Sequence, residues 1–295
     1  MYSSDNNNLH DDKIPAYQIL DLIESLGDDK LTAFFKQMDY NEQEKLLYLY
    51  EQLKITPKYD QNHKILPVSE TDQLAAVRKN GNAILYIQNP SEKIQLAAVN
   101  KNGSAIEYIK NPSEKVQLAA VNEYSFAIEY IENPSEDVQL VAVHKKGYAI
   151  QFIKNPSEKV QLAAVNNEDG NAIYDIIKKG IIPSEDVQLA AVNKNGLAIR
   201  YIMNKGIIPS EDVQVAAVNE YGPAIRDIIE KGIIPSEDVQ LAAVNENGKA
   251  IGYIKNPSED VQWAAVNKKS SAIEFIKNPS EKVKQLARDK GFNYV

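Results

Sequence analysis

From Pro112 to Asn133 the chain reads P-S-E-K-V-Q-L-A-A-V-N-E-Y-S-F-A-I-E-Y-I-E-N, and nearly the same line recurs along most of its length. The opening proline returns as Pro67, Pro90, Pro134, Pro156, Pro183, Pro209, Pro235, Pro257 and Pro279. From Pro90 the gaps are 22, 22, 22, 27, 26, 26, 22 and 22 residues. A fixed period in this range marks a solenoid, in which each unit buries its apolar face against its neighbours.

Counted from its proline, the unit explains itself residue by residue. Proline lacks an N–H and restricts the residue before it, so it ends the preceding helix. Ser at position two (Ser91, Ser113, Ser135, Ser157, Ser184) suits an N-cap. The Glu after it puts negative charge at the positive end of the helix dipole. V-Q-L-A-A-V then carries a wide apolar arc, which predicts a first helix packed on more than one side, its alanines allowing close approach. Gly at position fourteen (Gly81, Gly103, Gly147, Gly170, Gly196, Gly222, Gly248) predicts a tight turn with positive φ. A second, shorter helix, A-I-x-Y-I, packs back on the first, and Asn ends it. I-x-Y-I alone admits a strand. The whole unit does not, because Q-L-A-A-V-N has no period-two alternation and is rich in alanine.

The predicted fold is therefore all-α: a right-handed α-solenoid of two-short-helix repeats with an N-terminal helical cap. Residues 1–13 read as a disordered tail, 14–53 as a three-helix cap, 54–66 as a linker, and 67–295 as about nine units plus a C-terminal capping helix from about Ser280. In the cap, Pro15 sits near the first turn of one helix and Asn41 caps another. The first unit is irregular, with an extra Val68 and with Asp72 where Val is usual. Three units insert K-G-I-I, at Lys179–Ile182, Lys205–Ile208 and Lys231–Ile234, and one extra residue sits near Asp169. The insertion reads as one more turn of the second helix, closed by Gly at C′, with the following Ile packing back. A change of curvature is expected near residues 170–235. Trp263 replaces the usual Leu and reads as a filler near the chain end.

Composition sets bounds. A hydrophobic content of 43% in 295 residues supports a substantial core. The absence of cysteine excludes disulfides, thiol catalysis and zinc–thiolate sites. No apolar run of about 18 residues occurs, so no membrane span is expected, and the polar, acidic N-terminus does not read as a secretory signal. Net charge is −8. Residues 1–66 hold 12 acids and 7 bases, a net of −5, which leaves −3 for the repeats. Neither part reads as a nucleic-acid surface.

The unit resembles an uncharacterised family of short tandem helical repeats, P-S-E-x-V-Q-L-A-A-V-x-x-x-G-x-A-I-x-Y-I, over roughly residues 67–283. Its architecture is similar to HEAT-like and leucine-rich-variant α-solenoids. The resemblance implies no catalytic residues. It implies a setting in intracellular bacteria, hence a cytoplasmic location, bacterial or in the host cytosol if the protein is delivered. It also implies an effector, or a regulator or inhibitor of one. The long central units and the N-terminal helices depart from the family pattern.

No catalytic residue, cofactor or metal site is expected. His10, His63 and His144 lack ligand spacing, and no phosphate-binding glycine motif occurs. The Asn row at position eleven (Asn100, Asn122, Asn166, Asn193, Asn219, Asn245, Asn267) reads as side chains bonding turn backbones or one another, with a polar peptide track as the sharper reading. The aromatic row (Tyr86, Tyr108, Tyr130, Phe152, Tyr201, Tyr253, Phe275) reads mostly as core. Asp175 and Asp227 break it, and as poor core residues they are expected to face solvent or meet a cation.

Position eighteen varies instead: Glu107, Glu129, Gln151, Tyr174, Arg200, Arg226, Gly252, Glu274. Tyr and Arg are favoured anchors. The candidate partner-binding residues are thus Tyr174, Asp175, Arg200, Tyr201, Arg226 and Asp227, set against a plain solvated face with local ion pairs such as Asp175 with Arg200. The function expected is a non-catalytic scaffold, monomeric when free, that holds a protein or peptide. The alternatives are an enzyme with an unrecognised site and a nucleic-acid-binding repeat protein.

Overall fold

The computed structural model describes residues 69–167 and 170–292. The expected tail, cap and linker lie outside them, as do Val68 and Asp169. Two compact units divide between Ala119 and Ala120. Within each, consecutive repeats stack helix on helix, and every regular element among the described residues is helical. The fold is an all-α tandem-repeat solenoid.

The repeat starting at Pro183 illustrates how the sequence builds the unit. Ser184 Oγ accepts from the Val187 N–H at 3.4 Å and caps the Glu185–Lys194 helix. Val187, Ala191 and Val192 are fully buried, as are Ala198, Ile199 and Ile202 of the second helix, Ala198–Asn204. A buried Val or Ile contributes roughly 1.5–3 kcal/mol, so the repeat is held chiefly by these facing apolar rows. Asn195 ends the first helix and accepts from the Leu197 N–H at 3.0 Å, which opens the second.

Two kinds of second element occur. In the repeats without the K-G-I-I insertion it is a six-residue 3₁₀ segment, as at Gly81–Tyr86, Gly103–Tyr108, Ser125–Tyr130, Gly147–Phe152, Gly248–Tyr253 and Ser270–Phe275. The proline that follows leaves no room for a full α-turn, and Asn89, Asn111 and Asn256 turn the chain with φ of 49°, 49° and 51°. In the longer repeats it is a seven-residue α-helix: Ala172–Lys178, Ala198–Asn204 and Ala224–Glu230. Gly180, Gly206 and Gly232 close these at φ 82°, 77° and 79°, the C′ role expected of them. The insertion thus changes the helix type rather than adding a turn to a fixed one.

The structure corrects the reading of the repeat glycine. Gly196, Gly222 and Gly248 do not have positive φ. They are small because the next repeat lies against them: a Cβ at Gly196 would stand 2.4 Å from the Ala217 carbonyl oxygen, and one at Gly248 2.6 Å from that of Ala265. Only Gly170 in this set combines such a contact with positive φ, 77°.

Two ladders escaped the sequence reading. Gln at position six donates to the carbonyl of its own repeat's proline, as Gln188 does to Pro183 at 3.0 Å and Gln262 to Pro257 at 3.1 Å. The capping serine also donates to the Glu of the preceding repeat, as in Ser91 to Glu70 at 3.0 Å, Ser258 to Glu237 at 2.5 Å and Ser280 to Glu259 at 2.6 Å. Local helix capping and repeat-to-repeat register therefore share one hydroxyl. The last helix, Glu281–Asp289, is capped by Ser280 as expected. Trp263 is 39% exposed and fills no core.

Candidate binding surface

The three seven-residue helices carry the candidate residues, all within the second unit. Their buried faces are Ala172, Ile173 and Ile176, Ala198, Ile199 and Ile202, and Ala224, Ile225 and Ile228. Positions eighteen and nineteen project from the opposite side. One rule describes their contacts: position eighteen of one repeat touches position nineteen of the next. The Tyr174 and Tyr201 rings meet edge to face with centroids 5.4 Å apart. Arg200 Nε lies 3.4 Å from Asp227 Oδ1. The Arg226 guanidinium sits 5.7 Å from the Tyr253 ring centroid. A Cβ on Gly252 would meet the Phe275 ring at 3.3 Å.

The diagonal brings Tyr174, Arg200, Tyr201, Arg226 and Asp227 into one band. Asp227 is only 6% exposed, yet its Oδ2 has no hydrogen-bond partner and Oδ1 faces both Arg200 and, at 3.8 Å, Arg226 Nη2. Glu230 adds a second carboxylate 3.8 Å from Arg226 Nε. Both guanidinium groups remain about half exposed, so each keeps donors facing outward. Asp227 thus meets cations, as expected.

Asp175 does not pair with Arg200. It lies beside Lys178 and Lys179 of its own repeat, and burial pushes its carboxyl above the ordinary range against the pull of both lysines. Burial likewise holds the Lys179 ammonium below its usual value, opposed by Asp175, while Lys179 Nζ donates to the Ile153 carbonyl at 2.6 Å. Lys178 extends the band on the other side, 5.9 Å over Tyr174.

The aromatic row is not core. Tyr108, Tyr130, Tyr253 and Phe275 are exposed, and Tyr86, Phe152 and Tyr201 are half-buried. The isoleucines on either side of each ring supply the core, and the rings lie over the seam between repeats. The Asn row is corrected too. Asn100, Asn193, Asn219, Asn245 and Asn267 are exposed, and their side chains make no hydrogen bond among the described residues. The asparagines that cap the second elements are instead those at position thirteen, Asn80, Asn102, Asn195 and Asn247. His144 takes an exposed place in the position-eleven row.

Sequence reasoning also missed an apolar feature. In K-G-I-I the first Ile is half-buried and packs back, but Ile182, Ile208 and Ile234 are 76%, 76% and 92% exposed. Their recurrence at one place in three consecutive repeats was the available signal.

Among the described residues no cluster of three or more His, Cys, Asp or Glu could hold a metal ion, and no helix is long and apolar enough to cross a membrane. Comparison with known protein families, with curated proteins and with solved structures finds no match.

Proposed function

We propose that this chain is a non-catalytic binding scaffold that holds a protein or peptide partner on its repeat surface. The observation that carries this reading is the diagonal band itself. Tyr174 and Tyr201 form a half-exposed aromatic pair beside Arg200 and Arg226, which fan out from one buried carboxylate, Asp227. Tyr and Arg lose little side-chain freedom on binding when they are already held, and they dominate interface hot spots. Here Tyr174, Arg200 and Arg226 are each held by a residue of the following repeat. Ile182, Ile208 and Ile234 would extend the contact with apolar surface.

The further proposal that the protein works as a bacterial effector, or restrains one, in the cytosol rests on analogy with similar repeats.

The test is affinity capture from cell lysate at moderate salt followed by mass spectrometry. Arg200→Glu/Arg226→Glu is compared with Arg200→Gln/Arg226→Gln/Asp227→Asn, which removes both cations without stranding the carboxylate. A stoichiometric protein partner, lost with both variants while their circular dichroism and melting stay intact, is the expected result. A partner retained by both folded variants removes this band from the binding role.

A further inference from the structure

We infer that the first unit carries a second recognition site, a basic groove on its first-helix side that takes an extended acidic peptide segment of a partner protein. The groove holds about 620 Å³. Leu96 and Ala97, both half-buried, line it, and Asn100 stands beside them. Arg78, Lys93, Lys101 and Lys115 also line it, against one carboxylate, Glu92.

The charges there are unequally matched. Glu92 is already engaged: Lys115 Nζ lies 3.4 Å away and Ser113 Oγ donates to it at 3.2 Å. Among the described residues Arg78, Lys93 and Lys101 make no ion pair. Three unpaired cations thus face a shared half-apolar depression. Isolated surface lysines would need no explanation, but these converge on one groove whose one acid among the described residues is occupied. The repeat pattern sharpens the contrast. Lys93 and Lys115 hold position four, where Asp137, Asp186, Asp212, Asp238 and Asp260 stand in five later repeats and Lys159 and Lys282 in two. Two consecutive repeats with Lys at this position thus stand side by side along the groove.

The ligand chemistry follows from the residue types. The cations want carboxylates. The Asn100 carboxamide, exposed and unbonded, offers both a donor and an acceptor to a peptide backbone. Leu96 and Ala97 accept an apolar side chain. Neighbouring packed helices stand about 8–10 Å apart, which an extended chain crosses in about three residues at roughly 3.3 Å each. A segment with acidic residues alternating around an apolar one fits.

The experiment uses the full-length chain and a fluorescein-labelled decapeptide of alternating Glu and Leu, read by anisotropy, with an alternating Lys and Leu decapeptide as control. Binding of the acidic peptide alone is expected. Raising salt from about 0.05 to about 0.5 M should weaken it, since screening shortens the reach of exposed charges from beyond about 10 Å toward about 3 Å. Lys93→Glu/Lys101→Glu should weaken it at least tenfold, and Asn100→Ala by several-fold. Equal binding of both peptides, or retention by Lys93→Glu/Lys101→Glu, overturns the proposal. So does a tenfold gain in affinity in Asp5→Asn/Asp11→Asn/Asp12→Asn, because the groove's occupant would then be the chain's own acidic N-terminal segment. The readout is direct peptide binding, so it does not depend on lysate capture through the second unit.

Discussion

Arg200 reaches forward by one repeat to Asp227, Nε to Oδ1 at 3.4 Å, and not to Asp175 in the repeat behind it. The pair is asymmetric: the Asp227 side chain is 7% exposed and that of Arg200 51%. Removing the carboxylate frees an arginine that turns into water. Removing the cations leaves a buried charge. Asp227→Asn should therefore cost little, about 1 kcal/mol, whereas Arg200→Ala/Arg226→Ala should cost about 3 kcal/mol, as expected for a stranded buried charge. Urea unfolding of the two variants measures the order, and the reverse order would show that the carboxylate is not the vulnerable partner.

Gly196 should be intolerant for a reason unrelated to backbone dihedrals. Its Cβ would stand 2.4 Å from the Ala217 carbonyl oxygen and 2.9 Å from Tyr221 Cβ. The first of these is backbone, so two repeats must part to admit a methyl group. Gly196→Ala should cost about 1–3 kcal/mol, the usual cost of overpacking. Ser125 and Ser270 hold the equivalent position elsewhere, which puts the expectation at the lower end. Gly206→Ala should be strained by its φ of 77° alone, because nothing lies within 4 Å of its added Cβ. Thermal melts of both variants separate the two causes: Gly206→Asn should recover stability, since Asn tolerates positive φ, and Gly196→Asn should not.

What the sequence disclosed and what it withheld follow from range. The period, the serine caps and the glycine closing each long repeat are local signals, and the structure carries all three. Whether A-I-x-Y-I forms a 3₁₀ segment or an α-helix depends on how soon proline follows. That too was readable from the K-G-I-I insertion, but only as a length. The diagonal contact was not readable. Tyr174 with Tyr201 and Arg200 with Asp227 are pairs 27 residues apart, and which of two neighbouring positions meet is set by the rotation between repeats. The same ignorance of rotation put the tyrosines in the core and paired Arg200 with the wrong aspartate. The repeated Gly was assigned a turn role because its true constraint, the Ala carbonyl of the next repeat, is invisible within one unit.

The serine hydroxyl with two duties makes a separable prediction. Ser258 Oγ accepts from the Val261 N–H at 3.3 Å and donates to Glu237 Oε1 at 2.5 Å. Ser258→Ala removes both bonds and should cost about 1 kcal/mol, the usual value of an N-cap. Glu237→Gln keeps the cap and an acceptor oxygen but loses the charge, and should cost less. A double-mutant cycle of Ser258→Ala with Glu237→Ala should give a coupling of at least about 0.5 kcal/mol, as for residues in contact. Additive effects would mean that the hydroxyl contributes only as a cap and not to the register between repeats.

Asp175 makes stability depend on acidity in a known direction. Burial first, opposed by Lys178 and Lys179, raises its folded value above the ordinary 3.8. The folded state therefore holds this proton more tightly than the unfolded chain. Such a group contributes stability that is fully present below its unfolded value and is lost as pH rises through its folded value. Asp175→Asn removes that loss, so the stability difference between variant and parent should grow in the variant's favour as pH climbs from below 3.8 through the raised folded value. Lys179 runs in the complementary sense: burial lowers its folded value, so its charged form costs stability until pH rises through that lowered value toward 10.5. Lys179→Met should remove the upper dependence while sacrificing the bond to the Ile153 carbonyl. Urea midpoints of parent and Asp175→Asn on the acid side, and of parent and Lys179→Met on the alkaline side up to 10.5, provide the measurement. An Asp175→Asn difference that is flat, or that shrinks with rising pH, would place the Asp175 carboxyl in water rather than at the half-buried seam between repeats.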